Sequence, residues 1–245
     1  MESNLLSRIE DLQNYASKKG ISNSKFLTPS EAIEVKEFFS NKYDIEMIFD
    51  GGFADAERVV AIFVNREWGS FEREEVLEAI RIDYREKEKL THRDLLGAVL
   101  GLGIKRDVIG DIFVCDCSYL ICLKSISDFI FTNLTKVGRI AVSVKKISLD
   151  ELPKATHKLK EKTDTIASSR LDAVVSSMFN ISRRVASEVI GQGKVQLSYK
   201  ICENVSKNVC EGDIISVRGM GKSKLLEIGD VTKKGRIRIK YGIYI

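Results

Sequence analysis

Long apolar runs are missing from this chain of 245 residues. Those present, such as Ile112–Cys115 and Tyr119–Leu123, last only a few residues, far short of the ~18–20 that a helix needs to cross a bilayer. The start, Met1-Glu2-Ser3-Asn4-Leu5-Leu6, has an acid at its second position and lacks the basic and apolar regions of a secretory signal. Cysteines are few and odd in number, five, without scaffold spacing. That argues against a disulfide framework and for a reduced, cytoplasmic chain. Proline is scarce, at two residues, and no low-complexity tract or long repeat occurs. With 44% hydrophobic residues the chain is too apolar to be disordered, and two or three compact domains are expected.

What is present is unevenly distributed charge. Residues 154–245 carry 18 Lys+Arg against 9 Asp+Glu, a balance of +9, whereas 1–153 balance to −5. A basic C-terminal third on a mildly acidic body points to a polyanion-binding end.

The expected architecture is α+β with several domains. In residues 1–76, Leu5, Ile9, Leu12 and Ala16 recur at helical spacing, with Gly20 as the stop. Thr28-Pro29-Ser30-Glu31 opens a second helix with a capping box. Strand-like runs follow at Ile45–Phe49 and Val59–Val64, making a small α/β domain. In 77–150 the order is strand Ala79–Tyr84, a helix capped by Thr91, strands Asp111–Cys117 and Tyr119–Lys124, a helix capped by Ser125, and strand Ile140–Val144. This β-α-β-β-α-β order is that of ferredoxin-like and RRM-like domains. Residues 151–167, with Pro153 and the polar run His157–Lys162 nearby, read as a linker. Residues 168–245 begin with two short helices, the second capped by Ser182. The period then becomes two, with Val195, Leu197 and Tyr199 on one face and Lys194, Gln196, Ser198 and Lys200 on the other. Strands are expected at Asp213–Arg218, Leu225–Val231 and Arg236–Tyr241.

Several catalytic look-alikes fail on spacing. Gly219-Met220-Gly221-Lys222-Ser223 ends like a phosphate-binding loop, but Ser216 stands where that loop needs its first glycine. Gly101-Leu102-Gly103 lacks a third glycine, Arg106 being there, and it ends a helix. His92-Arg93-Asp94 copies a kinase triplet, yet Val99 replaces the metal-binding asparagine. Cys115, Cys117 and Cys122 are read as buried strand thiols, because zinc wants four ligands and neither His92 nor His157 lies close in sequence. Arg170-Leu171-Asp172 resembles the catalytic triplet of pseudouridine synthases, but it opens a helix in a small basic domain, where the helix dipole accounts for Asp172. No catalytic residue, metal ligand or cofactor is assigned.

The positive signal is Ser182-Arg183-Arg184, which starts a helix whose free amides already favour phosphate. The two guanidinium forks can grip phosphate oxygens at two points. Lys194 and Lys200 flank the next strand, Arg218, Lys222 and Lys224 cluster at the following turn, and Arg236, Arg238 and Lys240 form a basic stripe. The candidate RNA-binding residues are therefore Ser182, Arg183, Arg184, Lys194, Lys200, Arg218, Lys222 and Lys224.

The run Arg170-Leu171-Asp172…Ser182-Arg183-Arg184-Val185-Ala186…Gly193-Lys194-Val195…Gly212-Asp213…Val217-Arg218-Gly219 resembles the ribosomal protein S4-type (alpha-L) RNA-binding domain. Phe26–Glu31, Gly51–Arg58, His92–Ala98, Gly101–Asp107 and Gly110–Ile112 resemble the bacterial YlmH family, so that nearly the whole chain is covered. The resemblance implies a non-enzymatic, ribosome-associated factor. Its partners would be ribosomal RNA and tRNA on large subunits that retain peptidyl-tRNA, and it would be a monomer without membrane contact. An RNA-modifying enzyme anchored by the S4-type domain is the alternative, and a protein scaffold with a merely solubilising basic end is a third. Ser198-Tyr199-Lys200 departs from the family's usual Val-Asn-Gly-Lys-type turn. The middle domain lacks the aromatic signature of a base-reading RRM, which implies docking rather than base stacking.

Overall fold

A computed structural model describes residues 2–39, 45–54, 56–68, 71–85, 90–115, 117–153 and 159–244. The chain divides into two compact units, Met1–Ala155 and Thr156–Ile245.

The first unit opens with α1 (Glu2–Lys19), which stops at Gly20, and β1 (Ile21–Leu27). Thr28 caps α2 (Pro29–Phe38): its amide and hydroxyl each donate to the Glu31 carboxylate at 2.7 Å, and its Oγ1 accepts from the Glu31 amide. Strands β2 (Ile45–Asp50) and β3 (Val59–Asn65) complete an antiparallel sheet ordered β1-β3-β2.

Then come β4 (Leu77–Asp83), α3 (His92–Gly101), β5 (Ile109–Val114), β6 (Ser118–Leu123), α4 (Lys124–Asn133), the two-residue strands β7 (Lys136–Val137) and β8 (Ile140–Ala141), and β9 (Ser143–Ile147). The sheet order β5-β6-β4-β9 is the ferredoxin-like arrangement. Three details differ from the sequence reading. Leu123 occupies the N-cap of α4 without a side-chain cap, so Ser125 lies inside the first turn. The fourth strand begins at Ser143 rather than Ile140. Cys115 and Cys117 belong to the turn between β5 and β6, where the Cys115 amide donates to the Cys117 carbonyl at 2.9 Å, and Cys115 is exposed. Cys122 does lie buried in a strand, and burial pushes its thiol up to about 12. Among the described residues no group of His, Cys, Asp and Glu is arranged for a metal, and no helix is long and apolar enough to cross a membrane.

Alternation along β4 and β6 splits the middle sheet's side chains between two cores. Ile80, Ile82, Leu120 and Cys122 pack with Leu95 and Val99 of α3 and Ile130 of α4. Leu77, Ala79, Ile121 and Leu123 pack instead with Phe26, Val60, Ile62 and Val64 of the N-terminal sheet. Residues on either side of the expected 76/77 boundary therefore share one core. The face on which an RRM stacks bases is here covered by protein, and Phe113 on that face meets Phe53 edge-on at 4.6 Å. The junction is braced by Arg58, which donates to the carbonyls of Ile109 and Phe26 at 3.1 Å each. Asp111 accepts from the amides of Glu57 and Arg58 at 2.7 and 3.4 Å. Burial, joined by the charge of Arg58, brings Arg106 down to about 10.

The second unit contains β10 (Leu159–Ile166), α5 (Leu171–Met178), α6 (Arg183–Gly191), β11 (Val195–Leu197), β12 (Lys200–Ile201), β13 (Ile214–Val217), β14 (Gly221–Val231) and β15 (Ile237–Tyr244). They form a six-stranded sheet ordered β10-β15-β14-β13-β11-β12. Residues 159–166 of the segment read as a linker are a strand instead, since β10 pairs with β15 from Leu159↔Tyr244 to Ile166↔Ile237. Residues 154–158, including His157 and Lys158 of the polar run, lie outside the described residues. Leu171, Val174, Val175 and Met178 of α5 and Ala186 and Ile190 of α6 pack on Val195, Ile215, Val217, Leu225, Ile239 and Tyr241, so the helices cover one side of the sheet.

Candidate nucleic-acid interface

The start of α6 is built as the sequence suggests. The Ser182 hydroxyl accepts from the Val185 amide at 3.3 Å, leaving earlier amides of the turn for solvent or ligand. Arg184 projects with 85% of its side chain exposed and meets Glu188 at only 3.6 Å. Arg183 differs, for its Nη2 donates to Oδ2 of Asp172. The other Asp172 oxygen accepts from Nε of Arg170 at 3.2 Å. Asp172 is 4% exposed, so this is a buried carboxylate clamped between two arginines whose outer portions reach water. A helix-dipole role alone does not describe it. Both of its carboxylate oxygens are engaged by guanidinium groups.

Burial would raise the Asp172 carboxyl, but hydrogen bonds and charge from Arg183 and Arg170 outweigh it and hold the group below the usual carboxylate range. A carboxyl with a depressed folded pKa stabilises above its unfolded value of about 4, and that stability is lost as pH falls through the folded value. Asp172→Asn is expected to destabilise the protein by ~2 kcal/mol at neutral pH and to flatten the acid limb of urea-unfolding stability below about pH 4. It should also weaken RNA binding, although it adds positive charge, because Arg183 loses its anchor. Tighter binding would show that net charge, and not placement, matters here.

Of the remaining cations, Arg236 lines one cleft with Arg183, whereas the others are spread over the sheet and its turns. In β14, Lys222 and Lys224 alternate with buried Ser223 and Leu225, and so point away from the helices. Lys200 is not a continuation of the strand bearing Lys194. The chain reverses at Ser198 and Tyr199, and Lys200 pairs with Leu197 in the cross-strand row of Ile215 and Ser223, on the helix-bearing side. Lys194 and Arg218 meet through the Arg218 amide and the Lys194 carbonyl at 2.9 Å, and both are exposed. Arg236 precedes β15 and turns to Thr165, donating from Nε to Oγ1 at 3.0 Å. Arg238 and Lys240 lie on the outward face, Lys240 paired with Glu161 at 2.8 Å. Sequence reasoning missed the clamp, although its triplet was noticed, and missed two tyrosines that close on Lys222.

Family comparison agrees with this geometry. A model of the YlmH N-terminal domain matches residues 3–67, one described as a candidate RNA-binding domain in YlmH matches 72–151, and the S4 domain matches 169–215. The Bacillus subtilis (strain 168) protein named "Ribosome-associated protein quality control protein P2" is 35% identical over 222 residues, which cover 88% of this chain and 84% of that protein. The chain belongs to the YlmH family. A solved structure named "Cell division protein ylmH from Streptococcus pneumoniae" shares the fold, with a TM-score of 0.50 and 23% identity over 61% of this chain and 93% of that one. Within this YlmH chain the S4 match encloses Arg170, Asp172, Ser182, Arg183, Arg184, Lys194 and Lys200, and ends before Arg218, Lys222 and Lys224.

Proposed function

We propose that this YlmH-family protein is a non-catalytic RNA-binding factor of the cytoplasm. On this reading it grips ribosomal RNA and tRNA on the large ribosomal subunit and serves quality control of stalled peptidyl-tRNA complexes. The observation that carries the reading is the capped start of α6, where exposed Arg184 stands beside an Arg183 held by buried Asp172. A charged fork fixed in advance at a helix N-terminus loses little freedom when it meets phosphate. The ribosomal setting is supported by the name of the Bacillus subtilis relative. The first unit takes a different part, because its RRM-like sheet face is packed against the N-terminal sheet. Any RNA it touches must meet another surface.

Co-sedimentation with purified large subunits tests the setting. The protein should pellet with subunits at moderate salt and be released at high salt, with the Arg183→Ala/Arg184→Ala variant already largely in the supernatant at moderate salt. Equal recovery of both proteins would remove α6 from the interface.

A further inference from the structure

The face of the second unit's sheet that points away from the helices carries a cluster of which Lys222 and Tyr244 lie beyond the S4 match. Strand register places Ile201, Gln196, Ser216 and Lys222 in one cross-strand row. The pairs Ser223↔Ile243 and Leu159↔Tyr244 bring Tyr244 alongside Lys222 on that face. The Lys222 Nζ lies 4.6 Å from the centroid of the Tyr244 ring and 5.7 Å from that of Tyr199. Lys224 follows two positions along the same face. Tyr199 reaches the cluster from the β11–β12 turn, where Ser198 and Tyr199 hold φ of 45° and 68°. Two-residue turns of this hand favour Asn-Gly, and a bulky ring in the left-handed region is strained. Strain kept at one position in this way points to a use for the ring.

We propose that Tyr199, Lys222 and Tyr244 form a stacking site for an unpaired RNA nucleotide, on the side of the sheet opposite the arginine-bearing helices. The inference rests on the RNA-binding reading above and extends it to a second face. A tyrosine ring offers a stacking surface to any base, and the adjoining ammonium meets the phosphate of the same nucleotide. Bases inside a duplex remain stacked on one another, so the site selects a bulged, looped or flipped nucleotide. The unit would then hold paired RNA by phosphates at α6 and an unpaired base on the sheet.

Two RNA hairpins with the same stem, one fully paired and one with a single-nucleotide bulge, test this by fluorescence anisotropy with the full-length protein. The wild type should prefer the bulged hairpin by roughly tenfold. Tyr244→Leu and Tyr199→Gly should each erase that preference while leaving affinity for the paired hairpin unchanged, and Tyr244→Phe should retain it. Tyr199→Gly should also melt at a higher temperature, because the turn relaxes, so its lost preference cannot be laid to unfolding. A wild type without preference, or tyrosine variants that keep it, would overturn the stacking site. If the Arg183→Ala/Arg184→Ala variant still loses affinity for both hairpins in that case, the RNA-binding reading stands without it. A wild type that binds neither hairpin overturns both.

Discussion

Replacing Arg183 and Arg184 together by Ala is expected to lower affinity for paired ribosomal RNA roughly 100-fold at ~0.15 M salt, since charge-assisted hydrogen bonds contribute about 1.5–3 kcal/mol each. The slope of log affinity against log salt should become shallower by about 2, one counterion for each phosphate no longer neutralised. The single variants separate the two roles. Arg184 is exposed and meets Glu188 only at 3.6 Å, a surface pair within one helix worth ~0.3–0.5 kcal/mol. Arg184→Ala should therefore cost affinity and leave stability nearly unchanged. Arg183→Ala should cost both, because it leaves one oxygen of buried Asp172 without its guanidinium. An unchanged salt slope in the double variant would place the RNA contact elsewhere.

The second large effect concerns stability. A Cβ added at Gly51 would lie 2.3 Å from the Ala56 Cβ and 2.4 Å from the Arg58 carbonyl oxygen. Neither neighbour is the free end of a flexible side chain, so the loop preceding β3 would have to open. That loop carries the Glu57 and Arg58 amides to Asp111 and the Arg58 side chain to the Phe26 and Ile109 carbonyls. Gly51→Ala should destabilise the protein by ~3 kcal/mol or more, as overpacking against fixed backbone does. Gly97, exposed within α3, provides the contrast, because nothing lies within 4 Å of its added Cβ. Gly97→Ala should stabilise by ~0.5–1 kcal/mol through helix propensity. Urea unfolding of the two variants gives opposite signs if the close approach at Gly51 explains its glycine, and a neutral Gly51→Ala would refute that explanation.

The elements read correctly from the sequence are those whose cause is local. The capping boxes of Thr28 with Glu31 and Thr91 with Asp94 form within a few residues. The same holds for the Ser182 cap and for the apolar stripes of α5 and α6. Two of the longer strands, β1 and β10, were missed because their cause is distant. β1 buries Ser22 and Ser24 where alternation would show apolar residues. Their hydroxyls find distant partners in the fold, Ser22 donating to the Leu12 carbonyl at 2.6 Å and Ser24 accepting from the Ala61 amide at 2.9 Å. β10 is an edge strand with mostly exposed, charged side chains, so nothing apolar announces it before β15 pairs along it.

The site divides along the same line. Residue types alone determine that the C-terminal third is basic, that a cap and two arginines begin a helix, and that the chain resembles the YlmH family. Only the tertiary structure decides which arginine is anchored, because Asp172 and Arg183 belong to different helices and meet through α5–α6 packing. It also decides that Lys222 and Lys224 face away from those helices, because a strand's inward side is set by what covers it. Charge composition belongs to the chain wherever its residues end up, whereas the direction of a side chain exists only once a partner surface has been chosen.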